Sequence, residues 1–164
     1  MSQEEEIYKE VKFKWVGALD LKVLYEKLNR WLQDEDFVVK EKSYVEKIKP
    51  LGKQLEIVWD CKYKRTEYFH WKVELIIYSI NVNEVEVERD GKKIKLHQGQ
   101  HQIRFKGTLI MNASDEFIDE SFMHKFYKRF IMAKKIEEEM IELFKVCHAL
   151  VQEIKSYLEV FQLE

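Results

Sequence analysis

Between residues 53 and 111, apolar side chains recur at almost every second position, and this alternation limits more than any other feature what the chain can become. A period of two places one set of side chains on one face of an extended strand and the next set on the other. Leu55, Ile57, Trp59, Cys61 and Tyr63 form one row against Glu56, Asp60, Lys62 and Lys64, and Phe69, Trp71, Val73, Leu75 and Ile77 form a second row in a strand ending near Asn81. Asp90-Gly91 marks a two-residue hairpin loop that accepts positive φ at both centres. Pairing outwards from it sets Glu88 against Lys93, Val87 against Ile94, Glu86 against Lys95 and Val85 against Leu96. Charges then complement on one face while apolar residues meet on the other. A turn at Gln98-Gly99-Gln100 leads to a last row of Ile103, Phe105, Leu109 and Met111. The segment is an antiparallel sheet with one buried face.

The flanking segments follow other periods. Residues 7–16 alternate, with Ile7, Val11, Phe13 and Trp15 on one side and Tyr8, Glu10, Lys12 and Lys14 on the other, until Gly17-Ala18 break the strand. Asp20 is placed to cap a helix in which Leu21, Leu24, Tyr25, Leu28, Trp31 and Leu32 share a face to about residue 34. Residues 37–48 form an imperfect edge strand, with Val39 and Val45 on one side and Val38, Tyr44 and Ile48 on the other, before Pro50-Leu51-Gly52 turns the chain. Beyond Asn112 there is neither Gly nor Pro, and Ser114, Asp115 or Ser121 can cap a helix. One straight helix of about 40 residues would be about 60 Å long, so a break is expected near residues 133–135. It would separate an amphipathic segment of about residues 117–132 from a helix whose stripe includes Ile136, Met140, Leu143, Phe144, Cys147, Leu150, Ile154 and Phe161.

Composition sets the outer bounds. With 164 residues, 46% of them hydrophobic and 35% charged, the chain fits a single domain over residues 1–164 with one core. Five Gly and one Pro are too few for collagen or low-complexity linkers. A formal net charge of −2 offers no global attraction to nucleic acid. Two cysteines, Cys61 and Cys147, make no disulfide framework and suit a reducing compartment. The acidic start lacks the pattern of a secretory leader, and no run of about 18 apolar residues exists to span a bilayer. The expected location is cytoplasmic.

The order strand, helix, six strands, long C-terminal helix resembles the helix-grip architecture of the START-like, pollen-allergen-like superfamily (SRPBCC). The expected fold is therefore α+β, a curved seven-stranded antiparallel sheet gripping the C-terminal helix. The resemblance implies a cavity between sheet and C-terminal helix for apolar small molecules such as lipids, sterols or polyketides. Its lining would comprise Trp15, Trp59, Tyr63, Phe69, Trp71, Phe105, Met140, Phe144 and Cys147. These residues equally suit a filled core, since interiors are close-packed by default. The family has two short helices after its first strand where this chain shows one, and the helical stretch 117–132 is an addition.

Other chemistry finds little support in the residues. His97 and His101 flank Gly99, and His70 stands on a neighbouring strand, but no carboxylate or Cys accompanies them at ligand spacing, so no metal is assigned. No nucleophile elbow or phosphate-cradling glycine loop occurs, and neither a catalytic residue nor a cofactor is assigned. Cys61 and Cys147 sit on apolar rows as small buried hydrophobes. Residues 122–136 place Phe122, Met123, Phe126, Tyr127 and Phe130 on one arc and His124, Lys125, Lys128 and Lys135 on much of the other. That helix could pack on the outer-row residues Ile76, Tyr78, Ile80 and Ile110, meet a second copy, or touch a membrane surface, the last being the least supported. Two functions stand open: non-enzymatic binding of an apolar small molecule or lipid, and a filled-core interaction module that self-associates or binds a partner through residues 117–136 and the Ile76, Tyr78, Ile80 patch.

Overall fold

A computed structural model describes the backbone of residues 2–111 and 122–162 and the side chains of residues 2–111 and 131–161. Strand β1 (Gln3–Leu19) is followed by helix α1 (Leu21–Asp34) and by strands β2 (Val38–Lys49), β3 (Gly52–Lys64), β4 (Phe69–Arg89) and β5 (Lys92–Met111). Helix α2 (Phe122–Gln162) completes the described chain. The five strands make one sheet in the order β1-β5-β4-β3-β2, with every neighbouring pair antiparallel. The Asp90-Gly91 hairpin has the register that its charges require, Glu88 opposite Lys93 and Val85 opposite Leu96, with φ of 49° and 75° at its two centres.

Because β1 and β2 lie at opposite edges, α1 must carry the chain across the sheet. Fourteen residues of helix span about 21 Å. Four interstrand gaps span about 19 Å, so the helix is as long as its task. Asp20 caps it, its Oδ1 accepting from the Val23 N–H at 3.2 Å, and Leu24, Leu28 and Leu32 turn inward at helical spacing. α2 lies on the same inner face over β1 and β5, where Leu143, Cys147, Leu150, Ile154 and Tyr157 are buried. The Tyr157 hydroxyl donates to the Asp20 carbonyl, which joins the end of α2 to the start of α1. A single hydrophobic cluster connects both helices to Trp59, Trp71, Leu75, Ile103 and Phe105 on the inner rows.

Several expectations change. The sheet has five strands, not seven, because the chain bends without breaking at Asn81 and at Gly99. The β4–β5 register slips between Ile80 and Asn83, and Asn81 takes a φ of 54°. Gly99 lies beneath this bulge, where an added Cβ would come within 2.8 Å of the Ile80 carbonyl oxygen, so the glycine permits a close crossing rather than a turn. Gly17 and Ala18 likewise stay in β1, paired with Gly99 and Gln98. Two register shifts in β1, between Glu6 and Val11, bring Tyr8 onto the inner face, where its ring stacks on Phe105 at 5.7 Å. One shift in β2, between Glu41 and Ser43, puts Val39 on the same side as Tyr44. Each bulge adds a residue to one strand and so reverses the parity read from a strict period of two. α2 continues through residues 133–135 as a 41-residue helix, about 61 Å long. The proposed caps Ser114, Asp115 and Ser121, and residues 117–121 of the amphipathic segment, fall outside the described residues.

Candidate functional site

The residues expected to line a cavity divide into three groups. Trp59, Cys147, Phe105, Trp71 and Phe69 are buried in the cluster beneath the helices. Trp15, Tyr63 and Met140 pack half-buried against its border. Phe144 is 50% exposed beside Tyr8 and His148. Under α2 the contact is close. A Cβ added to Gly107 would stand 2.5 Å from the Cys147 sulfur, so this glycine is what lets the helix approach β5. Burial pushes the Cys61 and Cys147 thiols up to about 12, which keeps both protonated and unreactive at neutral pH.

The α2 end nearer its start is held by polar contacts at the turn between β3 and β4. Arg65 reaches Glu139 with two nitrogens, at 3.2 and 3.4 Å, and stacks over the Trp71 and Tyr63 rings at 4.4 and 5.3 Å. Trp71 donates its indole N–H to the same carboxylate at 2.8 Å. Of the interaction residues, Ile76, Tyr78 and Ile80 are half-buried on the outer face of β4, while the side chains of Phe122, Phe126 and Phe130 lie outside the described residues. Residues 122–136 belong to the same continuous helix whose later turns lie on the inner face.

A cleft of about 680 Å³ opens at the other end of the inner face, between the first turn of α1 and the β2–β3 hairpin. Leu55 and Ile57 of β3 and Val82 of β4 form its apolar base, and Leu21, Tyr25, Tyr44 and Ile48 form its walls. Lys22, Glu26, Glu46, Lys49, Lys53, Asn83, Glu84 and His97 supply the polar groups. The local fold explains the opening. At the bulge after Ile80, β4 bends away from the straight sheet, and the Asn83 amide donates to the Leu51 carbonyl at 3.2 Å, fixing the hairpin to the bend. α1 begins directly above, its Leu21 N–H donating to His97 Nδ1 at 3.2 Å. In β2 the bulge turns Tyr44, Glu46 and Ile48 toward the cleft.

Hydrogen bonds stiffen the walls. Tyr25 donates to Glu41 at 2.8 Å, Trp59 donates to the same oxygen at 3.3 Å, and the Tyr25 ring meets Trp59 edge-on at 5.0 Å. Partial burial, then the bond to Glu41, raise the Tyr25 phenol above its ordinary range, so it stays a neutral donor. Lys53 pairs with Glu46 at 3.3 Å across the hairpin. Behind His97 lies His101, buried to 3% exposure, whose Nε2 bonds the His97 carbonyl at 3.1 Å and whose Nδ1 meets Ser79 Oγ at 2.8 Å. A carbonyl only accepts, so Nε2 carries the proton and Nδ1 accepts from the serine. Desolvation lowers the pKa of this imidazole. The lining combines apolar surface with lysines, carboxylates and one histidine and includes no Ser, Thr or Cys.

A smaller cleft, about 270 Å³, lies on the outer face among Glu10, Lys42, Asp60, Glu74, Arg104 and Lys106. Its charges are largely paired with one another: Lys42 with Asp60 at 3.3 Å, Lys106 with Glu74 at 3.0 Å and Arg104 with Glu10 at 3.5 Å. No group of three or more His, Cys, Asp or Glu able to hold a metal ion occurs among the described residues. No helix among them is long and apolar enough to cross a membrane. Comparison of the chain with protein-family models, curated proteins and solved structures gives no match.

The large cleft was legible in the sequence only in fragments. Tyr44, Ile48, Leu55 and Ile57 stand out as strand apolars and Leu21 and Tyr25 as helix apolars. What brings them together is the β4 bend, and its one signal is the break in alternation at Asn81 with Gly99 opposite.

Proposed function

We propose that the protein binds an apolar small molecule or lipid, without catalysis, in the cleft between α1 and the β2–β3 hairpin, on a shortened helix-grip scaffold. The observation that carries this reading is an aliphatic base of Leu55, Ile57 and Val82 under two tyrosine walls, in a volume of about 680 Å³. Small-molecule sites occupy about 300–1,000 Å³ and combine mostly apolar lining with a few polar groups that orient the ligand. The strand order and the two helices on one face support the scaffold reading. The ligand lies at the α1 end of the inner face, away from the closely packed α2 region. Its apolar body rests on β3 and β4, and its polar end meets Lys22 or Lys49 at the rim.

A fluorescent fatty-acid analogue titrated into the purified protein tests this. Saturable binding at one site per chain is expected, weakened about tenfold or more by Tyr44→Asp, which sets a carboxylate on the wall at a half-exposed position. Absence of saturable binding, or equal affinity in that variant, overturns the reading.

A further inference from the structure

We infer that the tip of the β2–β3 hairpin is a docking element for an anionic lipid surface. Nine large hydrophobic residues are exposed among the described ones, and five of them, Val38, Tyr44, Val45, Ile48 and Leu51, belong to β2 and its turn. Ile48 and Leu51 are the extreme pair at the tip, 86% and 73% exposed. Single exposed aliphatics are ordinary, but Leu51 on the two-residue turn and Ile48 on the last rungs of β2, opposite Lys53, stand close together as an exposed apolar pair at the tip. Lysines surround it: Lys47 and Lys49 on the strand before the turn and Lys53 after it. Lys53 is paired with Glu46, whereas Lys47 and Lys49 make no ion pair among the described residues. Exposed aliphatic side chains interspersed with cations suit the interface of an anionic bilayer, whose acyl region lies beneath a negative headgroup plane.

A protein strand is the other conceivable occupant of this edge, and two features of β2 oppose it. Its register slips between Glu41 and Ser43, and lysines recur along it at 40, 42, 47 and 49. Both devices blunt an edge against strand addition. The lipid surface needs no hydrogen-bond register, only the exposed pair and its charges. Each lysine near an anionic surface supplies roughly a fivefold gain in partition, and two inserted aliphatics add a comparable amount, so the association is reversible.

The inference stands on the hairpin's exposure and charge, not on the ligand of the cleft, and Lys47 and Leu51 are outside the cleft lining. Co-sedimentation with vesicles of phosphatidylcholine alone and of phosphatidylcholine with about a third phosphatidylserine is the test. Binding only to the anionic vesicles is expected, reduced about tenfold or more by Leu51→Asp and by Lys47→Glu, and falling with added salt. Both variants keep the wild-type melting temperature and fatty-acid affinity, so failure of the docking surface is distinguishable from failure of the cleft. No binding to anionic vesicles, equal binding to both kinds, or undiminished binding by Leu51→Asp overturns the inference. So does a wild-type dimer that Leu51→Asp converts to monomer, because the tip then belongs to a second copy of the chain.

Discussion

The two ends of the inner face are built from the same kinds of residue and reach opposite outcomes. Under α2, Phe105 and Leu109 of β5 are buried together with Leu143, Cys147 and Leu150, and one glycine Cβ would already be too much. At the start of α1, Leu55, Ile57 and Val82 are also buried but stand at the base of a cleft rimmed by tyrosines and charged groups. Apolar content does not separate these regions. The difference is geometric: α2 runs along β1 and β5 with small residues at its closest approach, whereas the cleft opens where the bulge of β4 and the β2–β3 turn meet the first turn of α1. A chain can thus spend the same hydrophobic pattern on stability at one end and on an opening at the other.

Substitutions should separate the two regions by their cost. Phe105→Ala removes a fully buried ring of β5 and is expected to lower stability by about 3–5 kcal/mol in urea titration. Tyr44→Ala, at a side chain 53% exposed, should cost under about 1 kcal/mol while impairing ligand binding. Comparable stability losses in the two would erase the distinction. Next in size, Gly107→Ala should destabilise by about 1–3 kcal/mol, through the Cβ that would meet Cys147 Sγ at 2.5 Å. Cys147→Ala in the same chain should recover part of that loss, making the double variant more stable than the sum of the singles. Additive losses would show that the contact at Gly107 is not what limits helix approach.

The smallest effect depends on pH. Burial holds the His101 pKa below the ordinary 6.5, so the unfolded chain takes up its proton more readily than the folded one. Its contribution is complete above about pH 6.5 and is lost as pH falls through that value toward the folded pKa. The melting temperature should therefore drop between pH 7 and pH 5, and His101→Gln should flatten the slope. His70 is shifted in the same direction by partial burial and by neighbouring Lys64. An unchanged slope in His101→Gln would mean that the Ser79–His101–His97 arrangement does not couple to folding.

How much of this was written in the sequence depends on how local the cause is. The hairpin at Asp90-Gly91, the cap at Asp20 and the inner rows from Leu55 to Ile77 follow from neighbouring residues, and they stand as read. Strand count failed where a bulge imitates a turn: Asn81 and Gly99 interrupt the alternation, yet the ladder resumes at Asn83 opposite Gln98. Tyr8 and Val39 changed sides for the same reason, because one extra residue reverses the parity of everything beyond it. The continuous α2 was misjudged because length was weighed against domain size, while helix-favouring residues through positions 133–135 give the backbone no reason to stop. The cleft was least legible, since it arises from the relation between a bend in β4 and the start of α1, separated by about sixty residues of chain.

Amide and methyl NMR spectra during titration with the fatty-acid analogue test the central claim most directly. Shift changes confined to Leu21, Tyr25, Tyr44, Leu55, Ile57 and Val82, with Leu143, Cys147 and Leu150 unmoved, are the result expected of an open α1 end and a filled α2 end. Changes centred on Phe105, Leu143 and Cys147, with the α1 end silent, would contradict it.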